Sequence, residues 1–413
     1  MSVNNKREAN RIIILCWAAY TVAYIGRLNL NAYIEPMRDQ LGFSKTELGL
    51  VSSFFFISYG LGQLVHGILS RKYNTRYSIT VALIGSAVVN VLMTFCTDAV
   101  SMKFVWFFNG VFQSILWSSV IKTLSERLPD EKLSRAVVVI STPPALGTFL
   151  VYGLSALLSS MKVNYKFIFF IPALLLVIIG GIWFIGLGRN TLKYEKSSCS
   201  KEKKQSIKIK YTPVFIFGAV LVLLTAVANG FIKDGVTTWM PSILKESYGL
   251  KESLSILATV VLPLIAVFGA VLSTTIHKRL KNTSALNGIL YFAEAVALAI
   301  VILTSRSSAL KSSVLLISLF GISAMLMSAV NNVITSIIPL YMRDKMDSGL
   351  LAGVFDTFCY VGSTLSTALL GFIADRSNWS GVFICLFIFG IAACMLSFIT
   401  VFVNRKNTFD SQE

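Results

Sequence analysis

The chain has 413 residues, 55% of them apolar and 14% charged, yet its formal charge is +17. A soluble domain of this length carries more charge, and apolar runs of about 20 residues recur along the chain, as in a polytopic membrane protein. The basic excess therefore reads as membrane topology, not as a nucleic-acid footprint.

In chain order the runs predict twelve spans, near 12–37, 46–70, 77–97, 101–125, 134–160, 165–187, 213–241, 254–277, 284–305, 311–341, 347–374 and 379–403. The first is too long for a cleavable signal, lacks a small-residue cleavage site and carries Arg27. With both termini placed inside, 24 of the 37 Lys and Arg residues fall on the inner side and ten on the outer, and Arg27, Lys122 and Lys233 remain in or near the spans. That bias predicts a plasma (inner) membrane protein with cytoplasmic termini. The stretch RNTLKYEKSSCSKEKKQSIKIK from Arg189 has no apolar face. It predicts a basic cytoplasmic linker, 189–211, between six-helix units at 1–188 and 212–413. The expected fold is an all-α membrane protein with twelve transmembrane helices in two six-helix bundles of pseudo-two-fold symmetry.

Arg27 and Lys233 stand 206 residues apart in spans of otherwise apolar character. A cation at membrane depth costs roughly 2.5–3.5 kcal/mol on insertion scales, so a retained one usually has a use. Each lies eight or nine residues from a proline that closes its span, Pro36 and Pro241. At 1.5 Å per residue that is roughly 12–13 Å from the outer end, deep for snorkelling. After each proline comes a Gly and then a short Ser/Lys/Glu-rich stretch, LGFSKTELG in one half and YGLKESLS in the other. The shared order predicts one anion site between two parallel repeats.

Tyr20, Tyr24 and Arg27 share one helical face, which suits an anion-lined cavity or a packing face with one odd cation. Tyr59 and Gln63 can extend that wall. In the fourth span Asn109, Gln113, Trp117 and Lys122 either meet a substrate or hold helices together, as do Asn331 and Asn332 in the tenth. Pro143-Pro144 predicts a bent fifth span. Asp234 can neutralise Lys233, reach Arg27 or accept a proton. Asp356, one turn before Tyr360, is a second acid at membrane depth, and Glu294 is a third of lower rank. The six cysteines form no CxxC pair and the two histidines are too few for a zinc site, so no metal or cofactor is expected. No catalytic order and no nucleotide motif is present, so the chain reads as neither an enzyme nor an ATP-driven pump.

The stretches YIGRLNLNAYIEPM from Tyr24, ISYGLGQLVHGILSRKYNTR from Ile57, FFNGVFQSILW from Phe107 and KDGVTTWMPSIL from Lys233 carry a family resemblance. The chain resembles the major facilitator superfamily, and within it the organophosphate:phosphate antiporters. The resemblance implies that Arg27 and the seventh-span cation bind phosphate together, with Lys233 where arginine is usual. It implies cavity tyrosines at Tyr20, Tyr24, Tyr59 and Tyr360. The chain departs from the family at Gly230 (a tyrosine), Gln63 (a lysine), about Pro143 (a histidine) and Arg71 (an acid), while Asp375-Arg376 keeps an acid-base pair. The missing lysine and histidine lower the cavity's positive charge.

The expected function is exchange of a small organophosphate for phosphate by alternating access. The empty carrier would resist closing because its two cations face each other unneutralised. One rival is a proton-coupled symporter of a sugar acid, using Asp234 or Asp356. Another is a transporter-like sensor of organophosphate. The expected partners are a small anionic metabolite, phosphate as counter-substrate and the bilayer, with no nucleic acid and the chain acting as a monomer.

Overall fold

The computed structural model describes residues 3–69, 74–128, 136, 139–140, 142–187, 213–306, 312–342, 346 and 348–404. The predicted linker and Arg71 lie outside the described residues. Every regular element described is helical. The first group is α1 (Val3–Ala32), α2 (Ile34–Leu41), α3 (Lys45–Leu69), α4 (Thr75–Met93), α5 (Ala99–Arg127), α6 (Pro143–Ser160) and α7 (Lys166–Gly186). The second is α8 (Pro213–Tyr248), α9 (Glu252–Thr259), α10 (Val261–Arg279), α11 (Thr283–Arg306), α12 (Ser313–Asn332), a π turn (Val333–Ile337), α13 (Ile338–Tyr341), α14 (Ser348–Ser377) and α15 (Trp379–Asn404). Among the described residues, eleven helices are long and apolar enough to cross a membrane. The fifth predicted span is helical as α6, and its earlier part falls largely outside the description. The chain is thus an all-helical, multi-pass membrane protein.

Local chemistry sets where helices start. Ser44 and Glu47 form a reciprocal capping box at α3: the Ser44 N–H donates to Glu47 Oε2 at 2.9 Å and the Glu47 N–H to Ser44 Oγ at 3.1 Å. Asp98 Oδ1 accepts from the N–H groups of Val100 and Ser101 at the start of α5. The Ser101 hydroxyl, with those backbone donors, holds the exposed Asp98 carboxyl below its usual value. The prolines at 143 and 144 follow helical residues 139 and 140. They occupy the first turn of α6, where no intrahelical donor is needed.

The repeat seen in the sequence is real, but its register is 207 residues, not 206. The Asn31 amide donates to Thr238 Oγ1 at 3.2 Å and Ser242 Oγ donates to Glu35, each pair 207 apart. The helix-ending glycines Gly42 and Gly249, also 207 apart, both adopt positive φ, +71° and +68°. Arg38 pairs with Glu246 while Lys245 pairs with Asp39 at 2.6 Å. That reciprocal arrangement is what a two-fold axis between α1–α2 and the end of α8 requires. In this register Arg27 corresponds to Asp234, and Lys233 to Gly26.

The two groups of helices meet along two seams, α3 against α14 and α6 against α9 and α10, with α1 facing α8 near the axis. Polar contacts across the seams concentrate on the side of Arg27 that the charge count assigns to the outside. Ser53 Oγ donates to the Thr364 carbonyl at 2.7 Å. Lys45 and Thr46 donate to Asp375, Ser159 Oγ donates to Glu252, and Lys245 bridges Asp39 and Glu252. Trp239, buried within this end, meets Trp379 at 6.1 Å with the rings tilted by 51°.

Candidate functional site

The site begins with the turn of α1 that precedes Arg27. The carbonyl of Gly26 accepts from Asn90 Nδ2 on α4 and Asn109 Nδ2 on α5, both at 3.0 Å. Gln113 Nε2 donates to the Ala23 carbonyl at 3.1 Å and to Ser86 Oγ at 3.0 Å, and Ser86 Oγ donates to Asn109 Oδ1 at 2.6 Å. Asn29 completes the frame by donating to Asn90 Oδ1 at 2.7 Å. All five side chains are buried. Of the two readings open for Asn109 and Gln113, the structure shows helix-to-helix bonding. Ser86, Asn90 and Asn29 were not singled out in the sequence. Their signal was a polar residue recurring in otherwise apolar spans.

Arg27, 6% exposed, projects from this frame into a nest of phenols. Its guanidinium carbon lies 3.7 Å from the centre of the Tyr24 ring and 4.9 Å from that of Tyr59. Flat stacking on aromatic faces is a guanidinium property that an ammonium shares poorly. The Tyr59 hydroxyl accepts from Gln63 Nε2 at 2.9 Å, and its ring meets Tyr360 of α14 edge-on at 4.8 Å. Tyr20 touches Tyr24 at 5.2 Å and Trp117 at 5.3 Å. Trp117 is 38% exposed. It lies across α5 from the outward-facing Phe104 and Phe108, on the side of α1. Six of the predicted residues, Tyr20, Tyr24, Tyr59, Gln63, Trp117 and Tyr360, thus gather about Arg27.

The opposite wall comes from α8 and α14. A Cβ at Gly230 would stand 1.8 Å from the Cys359 carbonyl oxygen, so only glycine lets the two backbones touch there. One turn later Lys233 Nζ lies 3.7 Å from Asp234 Oδ1, and Asp234 Oδ2 accepts from Ser363 Oγ at 2.5 Å. Asp356 lies on α14 one turn before Tyr360, whose ring meets Tyr59. Tyr360 joins this wall to the other through Tyr59, whose ring centre lies 4.9 Å from the Arg27 guanidinium carbon. Here the expectation of two unneutralised cations is corrected. Lys233 has its own carboxylate partner, and two acids stand beside two bases.

Other candidates lie apart. Glu294 is fully buried between α11 and α12, where it accepts from Ser323 Oγ at 2.6 Å. Lys122 is 3.7 Å from Glu126, one turn along α5. Asn332 donates to Ser273 Oγ at 2.9 Å, tying α12 to α10.

A buried arginine on α1 and a lysine on α8 thus stand on the two helices that face each other near the axis. Residues 16–346 match the Major Facilitator Superfamily. The chain belongs to that family. Its relatives include the glycerol-3-phosphate transporter of Bacillus subtilis (strain 168), 27% identical over 97% of this chain and 93% of the relative. The hexuronate transporter of the same organism is 25% identical over 90% of each chain. Among solved structures, a bacterial homolog of the human lysosomal transporter Spinster, inward-facing and unoccupied, superimposes with a TM-score of 0.79. It does so at 13% identity, over 98% of this chain and 99% of that one. The facilitator fold and family make the chain a membrane transporter and not an enzyme.

Proposed function

We propose that this transporter moves a small organic anion, foremost a phosphate ester in exchange for phosphate, by rocking the helices before the predicted linker against those after it. The observation that carries the reading is Arg27. It is a buried guanidinium lying over the Tyr24 ring, and among the described residues no carboxylate lies within 4 Å of it. A guanidinium so placed presents paired donors to two oxygens of one ligand. Lys233 adds charge from the other half, so the ligand bridges both halves and favours their closing around it. Tyr20, Tyr24, Tyr59, Gln63, Trp117 and Tyr360 hold the organic part. With the termini inside, the bonded outer end makes this the inward-facing state. The relative named for glycerol 3-phosphate supports the choice of cargo.

The test is uptake of labelled glycerol 3-phosphate or hexose phosphate into proteoliposomes. Saturable uptake that phosphate on the far side accelerates, and that Arg27→Ala abolishes, supports the reading. Undiminished uptake by Arg27→Ala refutes it. A second reading, symport of a sugar acid with a proton, is favoured by the two acids beside the cations and by the hexuronate relative. It predicts strong acceleration by an inward proton gradient and none by phosphate on the far side.

A further inference from the structure

The two cavity acids are not equivalent. Asp234 is fixed by Lys233 at 3.7 Å and by the Ser363 hydroxyl. Asp356 has neither kind of partner: among the described residues no hydrogen bond is made to its side chain and no cation lies within 4 Å of it. It is nonetheless held toward the site. Its neighbour Thr357 donates to the Gly60 carbonyl of α3 at 3.2 Å, and Tyr360, one turn on, rests on Tyr59, which faces Arg27. The groups around it are Arg27 from α1, Tyr59 from α3, Lys233 and Asp234 from α8, and Cys359 and Tyr360 on α14 itself. The π turn and α15, also packed on α14, carry no charged side chain.

With both acids ionised, Arg27, Lys233, Asp234 and Asp356 sum to zero. An entering anion then leaves an uncompensated negative charge among partly desolvated groups, which is costly. A proton on Asp356 removes that excess. The cavity then carries one net positive charge before a singly charged anion binds and none afterwards.

We propose that Asp356 is the carrier's proton site. It takes a proton from water on the side where the anion enters, and acid and anion occupy the cavity together. The proton leaves with the anion on the far side, so charge and protons balance over a cycle. This rests on the anion site proposed above and adds the coupling: the singly charged form of the substrate travels with one proton. By linkage, whatever tightens anion binding on protonation must also tighten proton binding on anion entry.

The experiment is calorimetric titration of the purified full chain in buffers of different ionisation enthalpy, which counts protons taken up per anion bound. Glycerol 3-phosphate and D-glucuronate serve as probes in parallel. For the probe that binds, the wild type should take up about one proton more than Asp356→Asn. Its affinity should fall about tenfold per pH unit above the acid's titration, with that dependence lost in Asp356→Asn. Asp356→Glu, which keeps the acid, should retain the uptake at a shifted pH, and it decides the matter if the Asn variant does not fold. Equal uptake in wild type and Asp356→Asn overturns the assignment, as does loss of uptake in Asp234→Asn alone. Binding that survives Arg27→Ala, or the failure of both probes to bind the wild type, overturns the anion site itself.

Discussion

The two walls of the cavity present cations within one residue of the same register, and they hold them by different means. On the α1 side, side-chain amides grip the turn before Arg27 and phenol rings cushion its charge. On the α8 side, the turn before Lys233 is held by backbone-to-backbone contact at Gly230, and the charge is met by its neighbour Asp234. The pseudo-symmetry of the backbone therefore does not extend to the chemistry. Arg27 is preorganised and rigid, while Lys233 is a flexible point charge, about one third exposed, with a partner to exchange for a ligand.

The sharpest way to break this comparison is to swap the cations. Arg27→Lys removes the paired donors and the guanidinium contact with the Tyr24 ring. Hydrogen bonds to charged groups contribute about 1.5–3 kcal/mol each, so anion affinity should fall on the order of 10- to 100-fold. Lys233→Arg keeps charge and reach, and should change affinity by no more than about threefold. Dissociation constants for glycerol 3-phosphate measured on both variants check this. Equal losses would mean that the walls act alike.

The supports can be compared next. Gly230→Ala forces a methyl group against the Cys359 carbonyl and should lower stability by about 1–3 kcal/mol, read as a drop in melting temperature. Asn109→Ala removes one of two donors to the Gly26 carbonyl, so Asn90 still satisfies it. Its stability cost should be nearer 0.6 kcal/mol, the average for hydrogen bonds between membrane helices. The affinity loss should be larger than that cost alone gives, because the turn that aims Arg27 loosens. A melting temperature more sensitive to Asn109→Ala than to Gly230→Ala would reverse the assignment.

Much of this was legible in the sequence. Membrane-length apolar runs gave the helices, and a cation in each of two such runs marked the site, because few other residues are so costly there. Ser44 and Glu47 sit at capping-box spacing, so the start of α3 could be read directly. The 207-residue register could not be read from Arg27 and Lys233, since those two residues are not symmetry mates. Gly42 and Gly249 hold the true register, because a left-handed helix end demands glycine wherever the repeat occurs. The neutralised state of Lys233 was open too, as adjacent helical residues point about 100° apart and meet only if their side chains bend toward each other. Pro143-Pro144 was ambiguous because a proline pair suits a first turn as well as a kink.

The smallest effect concerns where the walls meet. Asp375, at the end of α14, accepts from the Thr46 N–H at 2.8 Å, the Thr46 hydroxyl at 2.6 Å and the Lys45 N–H at 3.2 Å. It is thus an N-terminal cap supplied to α3 by the other half, unlike Asp98, which caps the helix it precedes. The nearby pairs of Arg38 with Glu246 and Lys245 with Asp39 are partly exposed and contribute little singly. A cap contributes about 0.5–2 kcal/mol, and here that sum favours only the state in which the outer end is shut. Asp375→Ala should therefore shift the population toward outer opening by about fivefold for a loss near 1 kcal/mol. The measurement is the labelling rate, by an impermeant maleimide added outside, of a cysteine replacing buried Asn31 in an otherwise cysteine-free chain. Asp98→Ala should leave that rate unchanged, since its cap lies within one half and is present whichever end is open. A rate that responds equally to both changes would show that Asp375 stabilises the fold and not the closed end.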